Sequence, residues 1–152
     1  MSTTEATSPT SQAIIRPARA DDADAVFGLL NELAESYLPD REAFDLTFDA
    51  FASGDANALI LVAELGGVVR GYALTTITRL LYTNGSSAHL QELVVESSAQ
   101  GVGIGSQLVE SIERECRVRG VRQLTVASRR SAGFYERLGY LSTADFLKRT
   151  FD

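Results

Sequence analysis

Three glycines stand within five positions, immediately before a long stretch of helical sequence. The segment QGVGIGSQLVESIE covers residues 100–113, with Gly101, Gly103 and Gly105 at its start. A helix begins with four backbone N–H groups that lack intrahelical partners, and its macrodipole places about half a positive charge there. Because glycine has no Cβ, an anion can approach this backbone closely. The segment therefore predicts an anion site; a sharp strand-to-helix turn, for which one glycine suffices, is the simpler alternative.

The two common nucleotide-binding loops do not fit this segment. A P-loop requires Gly-Lys-Ser/Thr, but the only lysine is Lys148, near the C-terminus. A dinucleotide-binding fingerprint requires a glycine where Ser106 stands, within a series of parallel strand–helix–strand units. Hydrolysis of nucleoside triphosphates by a P-loop and Rossmann-type dinucleotide binding are thus excluded.

The apolar pattern predicts a mixed α/β sheet with helices on both faces. Predicted strands lie at 14–15, 58–65, 68–78, 88–95, 121–127 and 140–151, and predicted helices start at the Asp21–Asp22 cap and cover 42–51, 103–119 and 131–138. The strand–helix–strand crossover at 88–127 implies at least one parallel pair of strands. Ligands bind such sheets near the carboxyl ends of the strands, where the glycines stand.

Composition limits the remaining possibilities. The 152 residues fit one domain at 13–152, preceded by a Ser/Thr-rich stretch at 1–12 that we predict to be a disordered tail. This tail lacks the basic start and apolar run of a signal peptide, and no apolar run is long enough for a membrane span, so we expect a cytoplasmic protein without a membrane partner. Cys116 and His89 are each the only residue of their type, so we expect neither an internal disulfide nor a metal site.

Charge is distributed unevenly along the chain. The net charge of −6 argues against nucleic acid as a partner. Residues 21–55 hold ten acids against Arg41, whereas residues 114–137 hold seven arginines against two glutamates. Such runs are typical of solvated helix faces. The sharper interpretation is a cationic ligand at the acidic end and an anionic ligand at the basic end.

Two motifs resemble those of the GCN5-related N-acetyltransferase superfamily. Gln100-Gly101-Val102-Gly103-Ile104-Gly105 is similar to its (Arg/Gln)-x-x-Gly-x-(Gly/Ala) signature, and 133–140, GFYERLGY, resembles its FYExLGF motif. The two motifs stand in the family's order and at its usual separation. The resemblance implies the acyl-CoA acyltransferase fold of this superfamily, with a mixed sheet of six to seven strands.

The resemblance also implies acetyl-CoA as cofactor. In the family, amides of the glycine loop hold the pyrophosphate, while the preceding strand splays from the strand after the helix and pairs with pantetheine. The residues that would bind the cofactor here are Leu93, Val94, Val95, Gln100, Gly101, Val102, Gly103, Ile104, Gly105, Ser106, Ser128, Ser131 and Phe134. Ser128 and Ser131 stand where many members have asparagine. Arg122, Arg129 and Arg130 are candidates for the adenosine 3′-phosphate, with solvated surface as the alternative.

Acetyl transfer from a thioester to an amine needs a neutral amine, stabilisation of the oxyanion and a proton for the leaving thiolate. Tyr135 resembles the family's general acid, with a core aromatic role as the alternative. His89 and Glu92 are candidates for the general base and for the group that holds the ammonium ion. On a regular strand they face opposite sides, so only one points to the acceptor unless a bulge intervenes. Gln91 is a further candidate for acceptor binding.

The sequence thus predicts an acetyl-CoA-dependent N-acetyltransferase that acts on a primary amine by direct attack on the thioester. The acceptor expected is a cationic small molecule or a peptide amine. Tyr37 and Tyr82 are candidates for the rim of its pocket, and Phe44, Phe48 and Phe51 are interpreted as packing. The alternative is a non-catalytic, CoA-binding regulatory domain of the same fold. The resemblance also implies a homodimer formed through the C-terminal strands.

Overall fold

A computed structural model describes residues 12–34, 37–128 and 131–151. Residues 1–11 of the predicted tail lie outside these ranges, as do Arg129 and Arg130. In chain order the elements are β1 (Ile14–Pro17), α1 (Ala23–Leu33), α2 (Arg41–Ala52), β2 (Ala58–Leu65), β3 (Val68–Leu80), β4 (Gly85–Val95), α3 (Ile104–Val118), β5 (Gln123–Val126) and α4 (Ala132–Arg137).

The strands form one mixed sheet in the order β1-β2-β3-β4-β5. Strands β1 to β4 pair antiparallel, and β4 pairs parallel with β5 through the α3 crossover, as the sequence predicts. Gly66 and Gly67, with φ of 62° and 81°, make the tight turn between β2 and β3. This arrangement leaves β5 at the edge of the sheet, next to the strand that precedes the glycine loop.

The prediction of six to seven strands is wrong for the described residues, which form five. The missing strand is the one expected over 140–151, where no strand forms. Its large apolar residues do not alternate, and the adjacent Phe146 and Leu147 would point to opposite faces of a strand. Both are exposed, with 72% and 89% of their surface accessible.

Helices cover both faces of the sheet, as predicted. On one face α3 and α4 pack against the residues of β2 that point to them, such as Leu59 and Leu61. On the other face α1 and α2 cover Ile60 and Val62, and Phe48 is a buried member of the same cluster. Alternate side chains of β2 thus belong to two separate hydrophobic cores, because successive side chains of a strand point to opposite faces.

Candidate active site

Strands β4 and β5 separate after only four paired residues. Pairing runs from Ser87 with Gln123 to Leu90 with Val126, whereas β4 continues to Val95. Among the described residues no strand pairs with 91–95 on that side. Unpaired N–H and C=O groups on a strand edge can bond to an extended ligand. Successive residues of a strand direct their backbone groups to opposite edges, so Leu93 and Val95 face this open edge, whereas Val94 faces Tyr72 of β3.

A bulge in β4 orients the two candidate acceptor residues. Leu74 of β3 pairs with Glu92 and the next residue, Thr75, pairs with Leu90, so Gln91 is the extra residue. The bulge reverses the alternation, and His89 and Glu92 therefore both point away from α3. Gln91 donates from Nε2 to Thr76 Oγ1 at 2.9 Å on this same face. The sequence left this outcome open, since the position of a bulge was not visible in it.

The glycine loop follows the open end of β4 and leads into α3. Gly101 and Gly103 both have φ of +88°, and no described atom beyond the adjacent residues lies within 4 Å of where their Cβ would be. Gly105 has a different role, because its Cβ would lie 3.4 Å from the Phe134 ring. The Gln100 side chain donates to the Val95 carbonyl at 3.1 Å and ties the loop to the strand.

The start of α3 presents free backbone donors at this loop. The first intrahelical bond of α3 runs from Gln107 N–H to Gly103 C=O at 3.0 Å, so the amides before it have no partner within the helix. Ile104 is only 2% exposed and its side chain belongs to the core, so this residue offers a ligand its backbone only. Val102 is exposed and Ser106 is half-buried. These features fit an anion held by backbone, as at other helix N-termini.

Ser128 and Ser131 lie between β5 and α4. The Ser128 hydroxyl accepts a hydrogen bond from Ser131 N–H at 3.0 Å, immediately before α4 begins. Both residues are exposed, and the Ser128 hydroxyl hydrogen is still available for a ligand.

Tyr135 lies on α4, within the core on the α3 side of the sheet. It is 7% exposed and makes edge contacts with Phe134 and Tyr140, with ring centroids 4.9 Å and 5.8 Å away. Burial raises the pKa of Tyr135, so the phenol keeps its proton at neutral pH. Tyr140 differs because its hydroxyl donates to Glu113 Oε2 at 2.6 Å and is occupied by that bond.

His89 is fixed by a threonine on the neighbouring strand. Its Nδ1 lies 2.7 Å from Thr125 Oγ1, and the threonine hydroxyl donates to the Ala88 carbonyl at 3.2 Å. We assign the tautomer in which the hydroxyl hydrogen goes to the Ala88 carbonyl, Nδ1–H donates to Oγ1, and Nε2 retains its lone pair. Burial lowers the pKa of His89, which favours the neutral ring. Phe146 stacks on the imidazole at 6.0 Å.

Glu92 is held by a tyrosine that the sequence analysis did not single out. Tyr72 of β3 is 1% exposed and donates its hydroxyl to Glu92 Oε1 at 2.8 Å. Burial, followed by the charge and hydrogen bond of Glu92, raises the pKa of Tyr72, which thus remains a donor. A tyrosine after Gly71 in a predicted central strand was the only available signal, and it does not reveal the partner.

Glu92 lines a cavity of about 270 Å³ between the sheet and helices α1 and α2. The lining residues are mostly apolar: Val26, Leu30, Pro39, Asp40, Ala43, Phe44, Thr47, Phe48, Phe51, Ile60, Tyr72, Leu74 and Glu92. The three phenylalanines pack, as predicted, and also form the cavity wall. Tyr37 and Tyr82 do not line it: the Tyr37 hydroxyl lies 3.4 Å from Thr150 Oγ1, and Tyr82 is 85% exposed.

A larger cavity, of about 410 Å³, lies between the β1–β2 edge and the C-terminal half of α3. Its wall includes Arg16 and Arg119, but Arg16 pairs with Asp22 and Glu64, and Arg119 with Glu115. Because this cavity lies far along α3 from the glycine loop, we do not assign the chemistry to it.

The charged segments have structural uses. Arg41 binds Asp24 and Asp45 at 2.8 Å each, and Asp40 accepts from Ala43 N–H to cap α2. These contacts give Asp24, Asp40 and Asp45 a structural role on the helices, without a cationic ligand.

Arg122 lies far from the glycine loop. It precedes β5, at the opposite end of the parallel pair of strands, so it cannot bind a phosphate held at the loop.

Comparison with known proteins identifies the family. The Acetyltransferase (GNAT) family model matches residues 24–140 of this chain. The chain therefore belongs to the GNAT acetyltransferase family, and it is an acyltransferase. GNAT acetyltransferases use acetyl-CoA as the acyl donor.

Two curated relatives share this classification. Glucosamine 6-phosphate N-acetyltransferase 1 of Oryza sativa subsp. japonica is 30% identical over 84% of this chain and 80% of that protein. Aminoalkylphosphonate N-acetyltransferase of Salmonella typhimurium is 34% identical over 83% of each chain.

A solved structure has the same fold. The glucosamine-6-phosphate N-acetyltransferase of Arabidopsis thaliana superposes with a TM-score of 0.81, at 24% identity, over 92% of this chain and 99% of that chain. Within the described residues no helix is long and apolar enough to cross a membrane.

Proposed function

We propose that this protein is an acetyl-CoA-dependent N-acetyltransferase that transfers an acetyl group to a primary amine by direct attack on the thioester. The observation that carries the proposal is the position of β4. This strand has an open backbone edge and the glycine loop at its end, and its bulge presents His89 and Glu92 on the face away from α3.

The residues present fit the cofactor. Two left-handed glycines with open space above them and the free amides at the start of α3 suit a pyrophosphate, with Gln100 to Ser106 as its cradle. The open edge of β4, which Leu93 and Val95 face, suits the amides of pantetheine, with Val94 between them. Ser128, Ser131 and Phe134 follow β5 along the chain and would contact the cofactor from the α4 side. Acetyl-CoA, when bound, would supply the acetyl group as an activated thioester.

The side chains on the face of β4 that points away from α3 suit an amine acceptor. Glu92 has carboxylate lone pairs beyond the one that Tyr72 uses, and we assign it to the ammonium group of the incoming acceptor. His89 would take the amine proton at Nε2, the nitrogen that the Thr125 contact leaves free. Tyr135 would hold the proton that the leaving group requires, since burial keeps its phenol protonated. The Val95 N–H would stabilise the oxyanion, because it faces the open edge, whereas the Val94 N–H faces β3.

The test is acceptor-dependent release of free thiol from acetyl-CoA across a panel of primary amines, with mass spectrometry of the product. We expect an N-acetylated amine and no product from the alcohol with the same carbon skeleton. A preference for the alcohol, or for a longer acyl-CoA, would contradict the proposal. CoA binding without thiol release on any acceptor would favour the regulatory alternative.

We further propose that the protein forms a homodimer through its C-terminal segment, residues 141–151. This segment makes no strand, yet Leu141, Phe146, Leu147 and Phe151 are all exposed, and β5 is a free sheet edge. Exposed apolar clusters and unpaired edges are typical association surfaces. Light scattering of the full chain should give twice the monomer mass, and a monomer for the Phe146→Asp, Leu147→Asp double variant. A monomeric wild type would refute the dimer.

A further inference from the structure

We infer that the acceptor is a primary amine with an unbranched or ring-shaped apolar substituent, which the α1–α2 cavity receives while Glu92 holds the ammonium group. This inference rests on the proposed function and names the substrate class of the same site. It departs from the named substrates of the relatives, which carry phosphate or phosphonate groups.

The apolar character of the cavity wall is the first observation that supports this inference. Apart from Glu92, Tyr72, Asp40 and Thr47, its residues are apolar, and Phe44 and Phe48 stack with ring centroids 5.2 Å apart. The Tyr72 hydroxyl donates to Glu92, and one oxygen of the Asp40 carboxylate accepts from Ala43 N–H. A sugar or other polyhydroxylated group would lose its water here and find few partners, which costs free energy for every unpaired hydroxyl. An alkyl or aryl group gains from the same surroundings.

The charge of the cavity wall is the second observation that supports an apolar amine as acceptor. The wall contains two acidic side chains, Glu92 and Asp40, and no lysine, arginine or histidine among the described residues. The guanidinium of Arg41 lies over the rings of Phe27 and Phe44 and is bound to Asp24 and Asp45. A phosphate group would therefore meet two carboxylates and no free cation in this cavity. A lone ammonium group finds its counterion in Glu92.

The size of the cavity limits the substituent. A volume of about 270 Å³ is near the lower end for small-molecule pockets. A short alkyl chain or a single ring fits this space.

The experiment is a series of n-alkylamines from propylamine to hexylamine, with acetyl-CoA as donor and free thiol as readout. Charge and basicity stay almost constant along the series, so only buried apolar area changes. We expect kcat/KM to rise about fourfold per methylene until the cavity is filled. Glucosamine 6-phosphate and 2-aminoethylphosphonate should be the poorest acceptors in the panel.

A variant that fills the cavity provides a second test of whether the substituent binds there. Ala43 is exposed on α2 and lines the cavity, so Ala43→Phe adds a ring without removing a core side chain. Ala50→Phe makes the same change at an exposed position of α2 that does not line the cavity. We expect the first variant to abolish the chain-length dependence and to weaken calorimetric binding of hexylamine at least tenfold, and the second to match the wild type.

The outcomes separate this inference from the proposed function. Acetylation of phosphorylated amines with a flat alkylamine series would overturn the apolar acceptor and leave the N-acetyltransferase in place. Equal hexylamine affinity in wild type and Ala43→Phe would also overturn it. Absence of thiol release with every amine, while CoA still binds, would overturn both.

Discussion

The two sides of β4 are built in different ways. Toward the glycine loop, the site consists of backbone groups from one contiguous stretch, 93–106, in which glycine conformation and a helix start provide the donors. Toward α1 and α2, it consists of side chains from several elements, with Tyr72, Glu92 and Phe48 meeting across long sequence separations. A backbone cradle tolerates many side chains and recognises one common ligand. An assembled pocket changes its specificity whenever one wall residue changes.

The largest effect should come from Tyr135, the buried phenol of α4. Tyr135→Phe should lower kcat by about 100-fold to 10,000-fold, the range for loss of a general acid, with CoA affinity unchanged. Steady-state kinetics and calorimetry measure the two quantities. Tyr140→Phe is the control, since it removes a hydroxyl that is already bound to Glu113. Equal kcat in Tyr135→Phe and wild type would mean that Tyr135 is only a core aromatic.

A charge in the backbone cradle should act on the cofactor alone. Gly103→Asp should weaken CoA binding on the order of a hundredfold, because a carboxylate then faces the pyrophosphate. Gly103→Asn is the matched control, since Asn has the same shape, no charge and tolerates the left-handed backbone that φ of +88° requires. Equal losses in the two variants would indicate backbone strain instead of charge repulsion.

On the acceptor side, Glu92→Gln should raise the acceptor KM by about tenfold to a hundredfold while kcat changes little, because a charged hydrogen bond to the ammonium group is lost. Tyr72→Phe keeps the charge and should cost less. Initial rates at varied amine concentration distinguish the two parameters. A loss confined to kcat would make Glu92 the general base and remove our assignment of that role to His89.

The smallest effect should come from the threonine that fixes the imidazole. Burial lowers the pKa of His89 below its ordinary 6.5, so the ring is neutral at pH 7. Activity should fall only when the pH drops below this lowered pKa, because the protonated ring cannot act as a base. Thr125→Val should lower kcat/KM roughly threefold to tenfold and shift this acidic limb, since Nδ1–H loses its acceptor. Thr125→Ser should behave as wild type. A pH profile unchanged in Thr125→Val would remove the positioning role of Thr125.

Local patterns predicted most of the fold. Strand β2 and the α3 helix follow from continuous apolar runs and i, i+4 spacing, and the structure has them at or within one residue of the predicted ranges. The final strand was predicted wrongly because extended sequence with scattered apolar residues does not determine whether a strand finds a partner. The prediction that Tyr37 and Tyr82 lie at the pocket rim failed for a related reason: the local sequence does not determine where a loop lies relative to the rest of the fold.

The sequence by itself determined the glycine cradle, the order of the elements and the family, because left-handed turns, helix starts and apolar periodicity are properties of neighbouring residues. Only the tertiary structure decided that Gln91 is a bulge, that His89 and Glu92 share a face, and that Tyr72 and three phenylalanines line one cavity with Glu92. These features depend on strand register and on helix packing across the sheet, where the contacting residues are separated by tens of positions along the chain. Such contacts are set by the free energy of the whole fold.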